Sequence, residues 1–310
     1  MNVRKITCLQ PEDHTPTSLG NSNHDERPNG DHRLIVLEGY KGIGSFHYRT
    51  GFLTGITRKW TNPKSMIEGC ETEGWLTVNI AATSSNNAFL YSNSPPPTSS
   101  VTVLLGNMEM KAYLDANTEF YSLAVHQSLL FGEPANWNID PAVLSANMTY
   151  AIAHHHKLTY LRLLNHCLYS TTNIAEFSEA TTNLAIMILS AISKNQPTAR
   201  KDNRLRCVKR AVEVITTHDS GTIALAELAD ACHCSLRTLD YAFVTHLGIT
   251  PKQFLERYRL NKFRHSLISS HKYVGETAYG MGYKHLGNLA KSYNDLFGEL
   301  PSVTLGTITD

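Results

Sequence analysis

The spacing of apolar and polar positions changes character near residue 140. Before it, RLIVLEGY (from Arg33), GSFHYRTGFLTG, GWLTVNIAA, AFLYSN, SVTVLLG and EFYSLAVH are short runs rich in β-branched and aromatic residues, parted by Gly, Asn, Pro and Ser clusters. Such runs predict a small antiparallel β domain. In SSNNAFLYSNSPPPTSS, Pro95–Pro97 lack backbone donors, so this stretch predicts one strand between two loops rather than a central strand. Residues 1–32 are rich in Asn, Asp, Pro, Thr and Gly without periodicity, and predict a flexible tail.

After residue 140 the period is about 3.6. Asp140-Pro141 is an N-cap followed by proline at the first helical position, predicting a helix to about Ala153. Leu158, Leu161, Leu164 and Leu168 mark a second helix, and Ile174, Phe177, Ala180, Leu184, Met187, Ile188 and Ala191 a third. The polar stretch KNQPTARKDN (Lys194–Asn203) closes this helical part. Beyond it the pattern is helical throughout: 204–217, two helices around a tight turn within Leu225–Phe243, a long helix from Thr250-Pro251 to about Ser269, and a short one near Val274–Met281.

The C-terminal part repeats itself. Leu225, Leu228 and Ala229 face inward on a short helix; a turn at His233-Cys234 follows, a position where φ > 0 is favoured and His is tolerated. Ser235 then caps a helix whose Leu239, Ala242, Phe243 and Leu247 share one face, opposite Arg237, Thr238, Tyr241 and Thr245. A short helix, a turn and a second helix with a polar outer face make a helix-turn-helix. Further on, Ala278 stands for Ala229, Gly282 sits in the turn and His285 takes the place of Ser235. Leu289, Tyr293, Leu296 and Phe297 form the apolar face, and Gly287, Asn288, Lys291 and Asn294 the polar one. The second unit is also a helix-turn-helix.

These residues carry a resemblance. Residues 204–305 resemble the DNA-binding domain of the AraC/XylS family of bacterial transcription regulators. The match lies in Leu228-Ala229, Ser235, Arg237, Leu239, Phe243, Gly248, Pro251, Arg259-Leu260, Ala278, Gly282-Tyr283, Phe297-Gly298 and Pro301. The run HLGNLAKSYNDLFGELPSVTL further resembles regulators similar to that of the ethanolamine operon. The chain departs from the family at Phe263, usually Ala, at Gly280, and at Tyr241 and Lys291, often Arg.

The resemblance implies an α+β chain: a cupin-like antiparallel β domain with a helical subdomain, then an all-α domain of two helix-turn-helix motifs joined by a long helix. It implies a flexible tail over 1–32, a sensing domain over 33–138, a helical dimerisation or linker part over 139–195 and the reader over 204–305. The expected function is sequence-specific DNA binding with helices of about 235–247 and 285–297 in successive major grooves, in a cytoplasmic, nucleoid-associated transcription factor and activator. Expected partners are double-stranded DNA, RNA polymerase, a small-molecule effector of unknown identity and a second copy of the chain; no cofactor, metal, membrane or catalytic residue is expected.

The chemistry of the outer faces agrees. Arg237 and Lys291 suit guanine O6 and N7, Asn288 suits adenine, Asp240 accepts from cytosine N4, and Thr238 and Tyr241 offer mixed contacts. Ser235 and His285 stand at helix starts where backbone N–H groups hold phosphates, and Gly287 lies on the outer face of the second reader. Arg257, Arg259, Lys262 and Arg264 are further phosphate candidates, with an internal ion pair to a carboxylate favoured for Arg259.

Charge alone points the other way. The 310 residues carry 28 Lys+Arg against 27 Asp+Glu, a net +1. Split near residue 200, the first part has 13 basic and 16 acidic residues and the second 15 and 11, or −3 and +4. The longest apolar run, Leu184–Ile192, is far short of the ~20 residues of a membrane span, and the first residues carry no apolar signal core. The six cysteines include no CxxC pair, which fits reduced, structural thiols. Cys232-His233-Cys234 lacks a second ligand pair at zinc spacing. His154–His156 point around a helix rather than to one side. The alternative is a reader fused to an enzyme. A repair-methyltransferase-like domain needs a four-cysteine zinc site that Cys8 and Cys70 cannot supply, and a cupin enzyme needs clustered histidines where His47 and His126 are isolated. Trp60, Trp75, Tyr121 and Trp137 fit either an effector cavity or a core.

Overall fold

The computed structural model describes residues 4–6, 31–38, 45–61, 63–83, 97–131, 139, 148–195, 202–217, 223–270 and 273–306. The chain divides into two units. One comprises Met1–Leu34, Ile43–Asn62 and Ile67–Lys201, the other Ile35–Gly42, Pro63–Met66 and Asp202–Asp310.

The first unit is built on β strands: β1 (Arg4–Ile6), β2 (Asp31–Val36), β3 (Ser45–Thr50), β4 (Thr54–Thr61), β5 (Ser65–Cys70), β6 (Trp75–Ala81), β7 (Ser100–Leu105), β8 (Glu109–Leu114), β9 (Thr118–His126) and β10 (Met148–Ala151). β2 ends and β5 begins in residues that belong to the second unit. An antiparallel seven-stranded sheet runs β1-β3-β4-β9-β6-β7-β10, and β2-β5-β8 make a second sheet. The helices are α1 (Ser128–Phe131), α2 (His154–Ser170) and α3 (Ile174–Ile192).

Strand alternation explains the core. Ile56, Leu76, Val78, Ile80, Val101, Val103, Tyr121, Leu123 and Val125 occupy alternate positions, so they share one face of the large sheet. Against it pack Tyr160, Leu164 and Leu168 of α2 and Phe177, Leu184, Ala185, Ile188, Leu189 and Ile192 of α3. Most of both apolar stripes is thus covered by the sheet, while Leu158 of α2 and Ile174 and Met187 of α3 stay exposed. Arg49 of β3 reaches the end of α2, where its guanidinium donates to the Thr171 carbonyl at 2.9 Å and satisfies an orphan C-terminal acceptor. The aromatic residues divide. Tyr121 belongs to the core and donates to Asn165 at 3.1 Å, and Trp75 is buried with the His126 ring edge-on at 5.5 Å. Trp60 is half-buried, and Trp137 lies outside the described residues.

Two expectations need correction. The helix expected over 140–153 is not formed at its end: Met148–Ala151 is β10, paired with β7 from Met148↔Val103 to Ala151↔Ser100. Thr149 and Tyr150 are good strand formers, and the free edge of β7 supplies the partner that local sequence cannot reveal; residues 140–147 lie outside the described residues. Within the expected tail, Arg4–Ile6 forms β1 on the β3 edge, and β2 already begins at Asp31. The AFLYSN strand also lies outside the described residues.

The second unit contains α4 (Asn203–Thr217), α5 (Leu225–Ala231), α6 (Leu236–Leu247), α7 (Pro251–Ser270), α8 (Val274–Gly280), α9 (Leu286–Phe297) and α10 (Pro301–Gly306). One core cluster gathers Leu260, Phe263 and Leu267 of α7, Ala278 of α8, and Leu289, Tyr293, Leu296 and Phe297 around Val36. Phe263, where the resembled family has Ala, is fully buried, with the Tyr283 and Tyr293 rings edge-on at 5.7 and 5.8 Å.

Candidate nucleic-acid interface

The first helix pair is built as its residues dictate. α5 buries Leu228 and Ala229 and ends when Cys234 N–H donates to Ala229 O at 3.0 Å and His233 N–H to Asp230 O at 3.0 Å. This double bond pattern needs a left-handed residue between them, and His233 takes φ +52°. Ser235 then starts α6: its Oγ accepts from Thr238 N–H at 3.1 Å. α6 buries Leu239, Ala242, Phe243 and Leu247 and stops at Gly248, φ +68°.

The second pair repeats the turn. Tyr283 N–H donates to Ala278 O at 2.9 Å and Gly282 N–H to Tyr279 O at 2.9 Å, with Gly282 at φ +75°. α9 buries Leu289, Tyr293, Leu296 and Phe297 and stops at Gly298, φ +75°. The two turns match residue for residue from Ala229–Cys234 to Ala278–Tyr283, but the second inserts one more residue, Lys284, before its reader helix begins. From there the register holds through Gly248 and Gly298 to the prolines that open α7 and α10. His285 starts α9 without a side-chain cap, unlike Ser235.

The nine residues expected to meet DNA are all exposed: Ser235, Arg237, Thr238, Asp240 and Tyr241 on the first reader, His285, Gly287, Asn288 and Lys291 on the second. The Arg204 guanidinium lies 4.5 Å over the Tyr241 ring. A Cβ built on Gly287 meets nothing within 4 Å. Residues the sequence did not single out are also exposed here: Lys284 in the extra turn position, and Leu236 and Val244 on α6. The one-residue difference between the repeats is the signal that points to Lys284.

Three of the phosphate candidates are committed elsewhere. Arg264 is buried, 4% exposed, and its Nη1 donates to Glu299 at 2.5 Å, Tyr293 Oη at 2.9 Å and Thr304 at 3.2 Å. A buried guanidinium persists only when paired, so this arginine is a packing element of α7, α9 and α10. Arg259 donates to the Met281 carbonyl at 2.6 Å and lies 3.9 Å over the Tyr283 ring, so its partners are a carbonyl and a π face rather than a carboxylate. Burial pushes the Tyr283 phenol up to about 12 against the pull of Arg259. Arg257 donates to the Leu37 carbonyl. Lys262 is half-buried.

Between α7 and α9 runs a cleft of about 330 Å³ lined by Glu256, Arg259, Lys284, His285, Asn288 and Ser292 among others. His246, on the far side of α6, sits 3.5 Å from Asp202. Burial pushes its imidazole below the ordinary range, Arg204 adds to this and Asp202 opposes it. Among the described residues no group of His, Cys, Asp and Glu is arranged to hold a metal ion, and no helix is long and apolar enough to cross a membrane.

A family model for a helix-turn-helix domain matches residues 228–306. The XylDLEGF operon transcriptional activator 2 of Pseudomonas putida is 32% identical over 139 residues, 44% of this chain and 87% of that protein. A further XylDLEGF operon transcriptional activator of P. putida is 35% identical over 100 residues, and there the match spans only 31% of either chain. Among solved structures, a probable AraC family transcriptional regulator from Rhodopseudomonas palustris has 31% identity over 33% of this chain and 96% of its own, with a TM-score of 0.31. These relatives are described as regulators of transcription, not as enzymes.

Proposed function

The chain belongs to the AraC family of DNA-binding transcription regulators, and from that premise we propose that it reads two adjacent half-sites with one polypeptide. The observation that carries this reading is the repeated helix pair, with the same turn geometry twice and an exposed polar face on each second helix. α6 and α9 enter successive major grooves on one face of the duplex. The connecting α7 has 20 residues, about 30 Å of helix at 1.5 Å each, against a groove repeat of about 34 Å.

Within this reading Arg237 and Lys291 donate to guanine, Asn288 pairs with adenine, Asp240 accepts from cytosine, and Thr238 and Tyr241 contact base edges. The start of α6 at Ser235 and of α9 at His285 presents backbone amides to phosphates, and Gly287 lets the DNA backbone come close. Lys284 adds a phosphate contact at the second half-site only.

The β-rich unit, cupin-like in this reading, senses a small-molecule effector, and two chains pair through what α2 and α3 leave uncovered. Leu158, Leu163, Ile174 and Met187 are between 37% and 49% exposed there. The names of the P. putida relatives, operon transcriptional activators, favour activation; in this reading the protein acts with RNA polymerase, in the cytoplasm and on the nucleoid. The likeness to the ethanolamine-operon regulators rests on the run from His285 to Leu305.

Footprinting tests the core of the proposal on a duplex selected from random DNA by the protein itself. Two protected major-groove patches one helical turn apart are expected. Arg237→Ala and Lys291→Ala each cost about 1–3 kcal/mol of affinity and relax the base preference at the position each one reads. A single patch, or unchanged affinity in the double variant, refutes it.

A further inference from the structure

Three cysteines meet at the foot of the first reader. Cys207 lies on α4, Cys232 ends α5, and Cys234 follows His233 in the turn. The sulfurs of Cys207 and Cys234 are 3.3 Å apart, 27 residues distant in sequence. A disulfide bond is about 2.05 Å long, so the two atoms are within about 1.3 Å of bonding distance. Cys207 and Cys232 are buried, while Cys234 is half-buried and reachable from solvent. Cys207 also shares a hydrogen bond with Cys232, which holds Cys232 below the ordinary thiol range and raises Cys207, while burial and the contact with Cys207 raise Cys234. A second tie joins the same two elements: Arg210 Nη2 of α4 lies 3.1 Å from His233 Nε2. The contrast is Cys70, half-buried, whose thiol donates to the Glu71 carbonyl.

We propose that Cys207 and Cys234 form a reversible intramolecular disulfide, so that the turn of the first reader is an oxidation site. The oxidant is a peroxide. Cys234, the thiol of the pair that solvent reaches, gives its proton to water and its thiolate attacks one peroxide oxygen; the S–O bond forms, the O–O bond breaks, and the leaving hydroxide takes up a proton to become water. The second thiol displaces the sulfenic hydroxyl, the S–S bond forms, and a second water leaves with its proton. Two thiols are oxidised, one peroxide is reduced, and a dithiol reverses the bond by two exchanges. Drawing the sulfurs together pulls the turn toward α4. The turn fixes the start of α6, so the reader helix tilts while the second reader stays in place. The effect on DNA rests on the reading given above; the disulfide does not.

The test uses the full chain treated with hydrogen peroxide, alkylated and digested without reductant. The expected product is one cross-linked peptide pair joining Cys207 to Cys234, lost on dithiothreitol treatment and absent in Cys234→Ser and Cys207→Ala. Oxidation is expected to weaken binding to the selected duplex at least fivefold in the parent and not in Cys234→Ser. Sulfonic acid without a cross-link, or pairing through other cysteines, overturns the site in the parent protein whatever the variants do. A mapped Cys207–Cys234 bond with equal affinity before and after overturns its control of the reader. A chain that selects no duplex at all refutes the DNA reading instead, and the peptide map still decides the disulfide.

Discussion

Replacing Arg264 with Met should loosen the second reader from its support. The guanidinium bonds Glu299, Tyr293 and Thr304 at once and lies 4.9 Å from the Phe297 ring, so it joins α7 to α9 and α10. Breaking a buried ion pair from one side costs about 3–5 kcal/mol because the abandoned charge stays buried. Two features reduce that here. The Glu299 side chain is 22% exposed and keeps part of its hydration. Thr304 already donates to Glu299 at 2.6 Å and meets Tyr293 Oη at 2.7 Å, so no hydroxyl is orphaned. Met refills most of the volume. The expected loss is about 2–3 kcal/mol, a large part of a stability of about 5–15 kcal/mol. With a urea slope of about 2 kcal/mol per molar, the middle of the usual range, the midpoint falls by about 1–1.5 M. All three tryptophans, Trp60, Trp75 and Trp137, belong to the first unit, so their fluorescence does not report on this change. Far-ultraviolet dichroism should show the helical phase moving while the tryptophan phase stays. A shift below about 0.5 kcal/mol, or equal movement of both phases, refutes the account.

How much of this was legible in the sequence depends on the range of the interaction. The helix pairs were readable because a 3.6 period, a serine cap and a left-handed turn position are local signals. His233 at φ +52° occupies the very position expected to need it. Long-range partners were not. Nothing around Met148 announces that the edge of β7, with Val103 opposite, will recruit it as a strand. A basic residue on a helix looks the same whether it meets solvent or a carboxylate 35 residues away, so Arg264 was read as a phosphate ligand when it is a core residue. The cysteines were read as reduced, mostly structural thiols, and the pair was not foreseen because Cys207 and Cys234 are neighbours only through the packing of α4 on the turn. Net charge misled for a different reason. It averages over two units, whereas groove recognition depends on which side chains share one exposed helix face.

Two remaining predictions bear on the readers themselves. His246 is held below the ordinary imidazole range mainly by burial, so between that lowered value and 6.5 the unfolded chain binds more protons than the folded one. Its contribution is therefore complete above pH 6.5 and lost as the pH falls below it; the dichroism phase of the helical unit should weaken from pH 7 to pH 5, and His246→Gln should flatten that slope. An equal slope in the variant rejects the assignment. Gly287 separates stability from recognition. It lies in the first turn of α9, where alanine is the better helix former by up to about 1 kcal/mol, and an added methyl meets no atom of the chain within 4 Å. Gly287→Ala should therefore raise the melting temperature. If the DNA backbone closes on this position, the same methyl stands between helix and phosphate and affinity for the selected duplex drops about tenfold, or 1.4 kcal/mol. The two effects have opposite sign, so a destabilised reader cannot imitate the result. A more stable protein with unchanged affinity would mean that Gly287 faces water in the complex, and α9 would then have to enter its groove by a different edge.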